Sequence, residues 1–370
     1  MKRTVALILS MILLVCCFLT AADAETTITV NMDKTYPKPS SVKNNKAVKG
    51  EDPITGLPAG DEKYTPVLVS MDNSENAFPH WGVGAASVMI MVPNQSMGNC
   101  KMLALFTSEY PHLAGGARSS RITSLYFANV FNSAFSAAGA PEIPDTSKAP
   151  VSVHYWRKKW GIKSRQASKK AERKWFDALG GGELYERTNL VSPPRNLLIH
   201  VDMIHQQLIK DNVPFEKRPF LFTDDPLSRG DAAATVRMDF SNSASNCTFY
   251  YQEDKGGYVR ESLIGNNPTL QYNYDRLTEE VLLFSNVIVI RANFQFDSSA
   301  GTSYPYVKNH FAGSGQADIF QNGHYIQGSW YRNDALSRLI ILDENGKELQ
   351  FQRGKTFFVL NSDKLVVSYE

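Results

Sequence analysis

Gly115-Gly116-Ala117-Arg118-Ser119-Ser120-Arg121 separates an apolar run, Met102 to Phe106, from a second apolar segment, Ile122 to Ala138. The first run has strand length. In the second, Ile122, Leu125, Tyr126, Val130, Phe131, Ala134 and Phe135 recur at helical spacing, and Gly139 suits a C-cap. A strand, a glycine turn and a helix in that order predict an α/β layer. Two arginines and two serines would then crowd a helix start, where unpaired N–H groups and the positive end of the dipole suit an anion. Arginine adds forked donors that match carboxylate or phosphate.

Working outward, Pro66 to Met71 and Ala85 to Val92 are further continuous apolar runs, as expected of strands buried on both faces. Ser168 is placed to cap a helix whose apolar side is Ala171, Trp175, Ala178 and Leu179. Another helix-like segment runs from Leu197 to Ile209. Past the prolines and acids of residues 214–230 the texture changes. Short strand-like runs (Val236–Phe240, Cys247–Tyr251, Tyr258–Arg260, Asn286–Ala292, Gln316–Phe320, Tyr325–Tyr331, Leu339–Leu342, Thr356–Leu360) are parted by turns such as Gln321-Asn322-Gly323. The expected class is α+β, an N-terminal α/β layered domain followed by a β-rich barrel-like or sandwich domain. The expected organisation is a signal peptide at 1–24, a flexible tether at 25–51, the first domain at 52–215 and the second at 230–370.

Lys2 and Arg3, an apolar Val5 to Leu19 and Ala22-Asp23-Ala24 form an export signal with a cleavage site after Ala24. The rival reading lipidates Cys16 or Cys17, although neither Val15 nor Cys16 supplies the small preceding residue that a lipobox prefers. Membrane contact is expected only through an uncleaved or lipidated N-terminus. The net charge of +2 falls to +1 without Lys2, Arg3 and Asp23, so general nucleic-acid binding is not expected. Cys100 and Cys247 remain after cleavage, either as one disulfide or as two buried thiols.

Arg157, Lys158, Lys159, Lys163, Arg165, Lys169, Lys170, Arg173 and Lys174 are interleaved with Tyr155, Trp156 and Trp160. The segment reads as a solvated face over buried aromatics, or as a contact for an anionic envelope polymer. The ligand-site candidates are Arg118, Ser119, Ser120 and Arg121, with Asp72-Asn73 at a strand end and Arg195-Asn196 in a later turn. Asp72 can instead close a local turn, or neutralise the arginines in a sealed pair. No G-x-S-x-G or S-x-x-K activates a serine in the glycine–arginine stretch. His200 and His205 lie five apart and do not share a helix face, so no metal site is expected, and no cofactor is implied.

Several of these motifs occur in one order: Asp52-Pro-Ile-Thr-Gly-Leu-Pro58, Val69-Ser-Met-Asp72-Asn73, Gly115 to Arg121 and Pro194-Arg-Asn196, then Gly313-Ser-Gly315-Gln-Ala, Phe320-Gln-Asn-Gly323, Gly328-Ser-Trp330, Asp343-Glu-Asn-Gly346 and Gly354-Lys-Thr356. This series resembles the YerB-like lipoprotein family from about Asp52 to Leu360. The resemblance implies two domains and an envelope location, in a family without an established activity. The chain departs from the family pattern at three places. Pro93 to Lys101 replaces a Glu-Gly-Gly-Ile-Thr-Arg-like stretch, an apolar residue near Met91 replaces a glutamate, and Arg195 replaces the histidine of Pro-His-Asn. Two readings follow: a non-catalytic envelope binding protein with an anion site in its first domain, or an envelope hydrolase or transferase using Asp72 with Arg118 and Arg121. An acid or base within reach of the ligand position would separate them.

Overall fold

The structure is a computed structural model and describes residues 25–60, 63–144 and 146–370. The expected signal peptide, with Cys16 and Cys17, lies outside the described residues. The protein is α+β and mostly β. A twelve-stranded sheet is its backbone, with strands β1 (Val67–Met71), β2 (Val88–Pro93), β3 (Cys100–Phe106), β4 (Ala134–Ala137), β5 (Lys163–Ser164), β6 (Arg173–Asp177), β7 (Asp231–Ala232), β8 (Asn286–Arg291), β9 (Gly313–Gln321), β10 (His324–Arg332), β11 (Ile340–Leu342) and β12 (Thr356–Asn361). The spatial order is β7-β10-β9-β8-β12-β2-β3-β1-β4-β6-β5, with β11 on β10.

The sheet does not stop between the two halves of the chain. β12 pairs in parallel with β2, from Thr356 opposite Val88 to Val359 opposite Met91. Both strands are apolar on both sides, because both faces of the sheet are covered. Val67, Val69, Met71, Met89, Met91, Val287, Phe357 and Val359 point into one core. That side is covered by helix α3 (Val201–Lys210) and by a second sheet ordered Thr26–Thr27, Val366–Tyr369, Thr235–Asp239, Cys247–Gln252, Gly257–Ile264, Thr269–Tyr272. Leu68, Ile90, Leu103, Leu105, Ile288 and Phe358 point to the other face, under helix α1 (Ile122–Val130). The sheets stack as a sandwich, and no closed barrel forms among the described residues.

Three helical expectations are corrected. The Ile122–Ala138 segment is helical only to Val130; Asn132 takes φ +48° and Ala134–Ala137 leave as β4, paired in parallel with Val67–Val69. Gly139 therefore follows a strand and caps no helix. The segment from Ser168 holds a short 3-10 turn, then β6, then a second 3-10 turn at Ala178–Gly180, with Phe135 stacked on Trp175. A sheet edge was available there, and pairing outweighed the weak helical spacing. Leu197–Ile199 form a strand before α3 begins. Helix α2 (Val153–Lys159) instead carries the aromatic part of the basic segment.

Residues 25–51, expected as a flexible tether, carry little regular structure but are tied to the body. Thr26–Thr27 pair with Tyr369 and Ser368, Tyr36 is buried, and the Asn45 amide donates to Glu348 at 2.7 Å. Cys100 and Cys247 are both buried free thiols. Burial, and the nearby Cys247, push the Cys100 thiol well above its ordinary range.

Candidate functional site

β1 and β3 are antiparallel neighbours with Met71 opposite Met102, so Asp72 and Lys101 come together at one end of the pair. Ala117 bridges to Met71, and the Arg118 N–H donates to the Ser70 carbonyl at 2.9 Å. The glycine–arginine stretch is thus laid along the end of β1. Gly116 is required by close approach, since a Cβ there would meet the Arg195 carbonyl oxygen at 1.8 Å. This packing brings Arg195 to the same place.

A cavity of about 250 Å³ results, lined by Asp72, Asn73, Lys101, Arg118 and Arg195 and closed from the second half of the chain by Asn242 and Ser245. Asp72 Oδ1 accepts from the Ser74 N–H at 2.9 Å, the expected local turn, while Oδ2 lies 2.8 Å from Arg118 Nε. That N–H is not aimed at the carboxylate, so the contact is an ion pair rather than a formed hydrogen bond. Burial alone would raise the pKa of Asp72. The Ser74 N–H, Lys101, the Ser74 hydroxyl and Arg118 outweigh it and hold the carboxyl below its ordinary value. Arg195 Nε donates to the Ser74 hydroxyl at 2.9 Å.

Two groups stand out. Lys101 is 4% exposed and forms no hydrogen bond or ion pair among the described residues. Burial and Arg121 bring its pKa down to about 7, with Arg118 acting in the same direction and Asp72 opposing. Asn73 is 3% exposed, and neither atom of its amide has a partner. Buried polar groups are nearly always satisfied, so the bare Asn73 amide beside the buried Lys101 points to a missing partner.

The remaining expected residues serve the frame. Arg121 is the N-cap residue of α1, rests over Tyr304 at 4.9 Å and donates to the Ser120 carbonyl at 2.8 Å. The Ser120 hydroxyl donates to the Gly139 carbonyl at 3.0 Å, and the Ser119 carbonyl accepts from the Ser70 hydroxyl at 3.3 Å. Asn196 accepts from Arg187 at 2.8 Å and borders a larger cavity of about 480 Å³, which shares only Arg195 with the first among the candidates. Arg118, Ser119 and Ser120 lie before the helix rather than crowding its start, and only Arg121 stands there, as the N-cap residue. Lys101 was the residue missed. A lone lysine inside Cys-Lys-Met-Leu-Ala-Leu-Phe was its only mark in the sequence.

The basic segment is partly a structural network. Arg157 is buried over Trp175 at 4.7 Å. Arg173 and Lys170 reach Asp211 at 3.1 and 3.8 Å, and Lys163 pairs with Glu172 at 2.7 Å. Lys158, Lys159 and Lys169 are exposed.

Fold and site define a two-part β-rich protein, with a basic cavity where the first half of the chain meets a loop of the second. Residues 54–213 match the N-terminal domain, and residues 236–358 the C-terminal domain, of a protein family of unknown function, DUF3048. The chain belongs to this YerB-like family. It is 25% identical over 327 residues to "Putative lipoprotein YerB" of Bacillus subtilis (strain 168), across 86% of this chain and 88% of the relative. The crystal structure of Bacillus subtilis YerB superposes with a TM-score of 0.67 at 21% identity, covering 86% of this chain and 99% of that one.

Proposed function

We propose that this is an exported cell-envelope protein that binds an anionic group, a phosphate or carboxylate of an envelope ligand, in the cavity between Asp72, Lys101 and Arg118. The export signal and the lipoprotein relative support the location. The carrying observation is Lys101, a buried cation without a partner, beside the bare amide of Asn73. Lys101, Arg118 and Arg195 face a single carboxylate, Asp72, so an anion would relieve their mutual repulsion. The exposed lysines 159 and 169 could add weaker attraction for an anionic wall polymer.

Lys101 also supports the catalytic reading, because a group with a pKa of about 7 exchanges protons readily at neutral pH. Among the described residues, no hydroxyl is hydrogen-bonded to the Lys101 ammonium. The Ser120 hydroxyl is engaged with Gly139, and the Ser74 and Ser245 hydroxyls accept from Arg195 and from the Cys100 N–H. Binding is therefore favoured. Titrating the protein with inorganic phosphate and pyrophosphate by calorimetry tests the reading. Lys101→Met and Arg118→Ala should each weaken binding by about tenfold or more, the worth of one charge-assisted hydrogen bond. Absence of binding, or binding indifferent to both changes, would refute it.

A further inference from the structure

A second cluster of ligating side chains shares no residue with the basic cavity. His112, His200 and Asp202 each offer a donor atom, and these three atoms lie within 4.8 Å of one another. The fold assembles them from distant sequence. His200 closes the strand Leu197–Ile199 as the N-cap residue of α3, and Asp202 is the second residue of that helix. The Asp202 N–H donates to the Pro111 carbonyl at 3.2 Å, which anchors the loop bearing His112 over the helix start.

We propose that His112, His200 and Asp202 form a binding site for a divalent transition metal of zinc type. His112 Nδ1 and Asp202 Oδ2 are 3.2 Å apart. Two ligands held at roughly 2.0–2.1 Å around a tetrahedral zinc stand about 3.3 Å from each other, so this pair already has the spacing of metal ligands. Asp202 Oδ1 is engaged by the Met203 N–H at 2.7 Å, which leaves Oδ2 for the metal. His200 is buried, and its Nδ1 has no partner among the described residues. Its Nε2 faces Glu186 Oε2 at 3.5 Å. A carboxylate behind a histidine, fixing the ring while the other nitrogen ligates, is the usual outer support of a zinc ligand. Two neutral imidazoles with Asp202 and Glu186 balance a divalent charge. The His112 side chain is 67% exposed, which gives the ion an entry path and leaves a coordination position for water or a ligand group.

The alternative is an ordinary surface ion pair between His112 and Asp202. The test is a titration of the metal-free full chain with Co²⁺, read by its ligand-field absorption, followed by competition with Zn²⁺. One site per chain with a tetrahedral spectrum is expected. His112→Ala removes an exposed side chain and should leave the fold intact. It and Asp202→Asn should each lower Zn²⁺ affinity at least about tenfold, on the scale of supporting-shell losses. His324→Ala, on β10, should not. Absence of the Co²⁺ spectrum, or affinity unchanged in both His112→Ala and Asp202→Asn, would overturn the proposal. Phosphate binding at Lys101 is measured separately, so either reading can fail alone.

Discussion

Lys101→Met replaces a buried ammonium by an apolar chain of similar length, and its effect on stability should depend on pH in a calculable way. In the unfolded chain this lysine has its ordinary pKa of 10.5, whereas in the folded protein burial and Arg121 bring it to about 7. Between these values the unfolded state binds more protons, so the stability of the parent protein rises with pH. At one unit of pKa per 1.36 kcal/mol, the lysine costs the folded state about 5 kcal/mol at pH 6 and about 2 kcal/mol at pH 9. Lys101 makes no hydrogen bond that methionine would forfeit. Methionine carries no titration, and any packing difference is the same at both pH values. The variant should therefore gain on the parent at pH 6 by about 3 kcal/mol more than at pH 9. Urea unfolding at the two pH values measures this. A stability difference constant across the range would refute the burial of a charged Lys101. The same linkage runs in reverse for a ligand: anion binding should weaken as pH rises through 7 in the parent and lose that dependence in the variant.

Arg118→Ala should cost little stability, about 1 kcal/mol or less, because the side chain is 32% exposed and its Nε–H is not aimed at Asp72; a loss near 4 kcal/mol in thermal unfolding would mean a sealed structural pair. Asp318→Ala is the contrast. It strands Arg291 Nε, now 2.8 Å from Asp318 with both side chains fully buried, and should cost about 3–5 kcal/mol in urea unfolding. Gly116→Ala should destabilise by about 3 kcal/mol or more in the same assay, since its Cβ collides with the Arg195 carbonyl and must separate the two strips of chain that shape the cavity. Neutralising Lys159 and Lys169 together should reduce salt-sensitive retention on teichoic-acid-type polyphosphate without lowering the melting temperature; unchanged retention at low salt would make the segment a plain solvated face.

The strands of the sheet core were legible because Pro66–Met71, Ala85–Val92 and Met102–Phe106 are nearly continuous apolar runs of strand length, as a doubly covered sheet uses. The β-rich second half announced itself through turn residues at regular intervals, which act locally. Asp72, Arg118 and Arg195 were legible as site candidates because charged residues stood at a strand end, after a glycine pair and in a proline turn. The segment after Val130 was misread because helix and strand differ there by pairing, and the partner, Val67–Val69, lies far back in the chain. For the same reason, nothing local told that β12 would join β2 and make one sheet of two halves. Lys101 joined the candidate site only when the chain closed, burying it and bringing Asn242 and Ser245 to the same cavity. His112 reached His200 and Asp202 only through the Pro111 contact to the start of α3. Local chemistry is set by neighbours in sequence and can be read there; burial, pairing and the meeting of distant side chains are properties of the closed chain, and they decided the site.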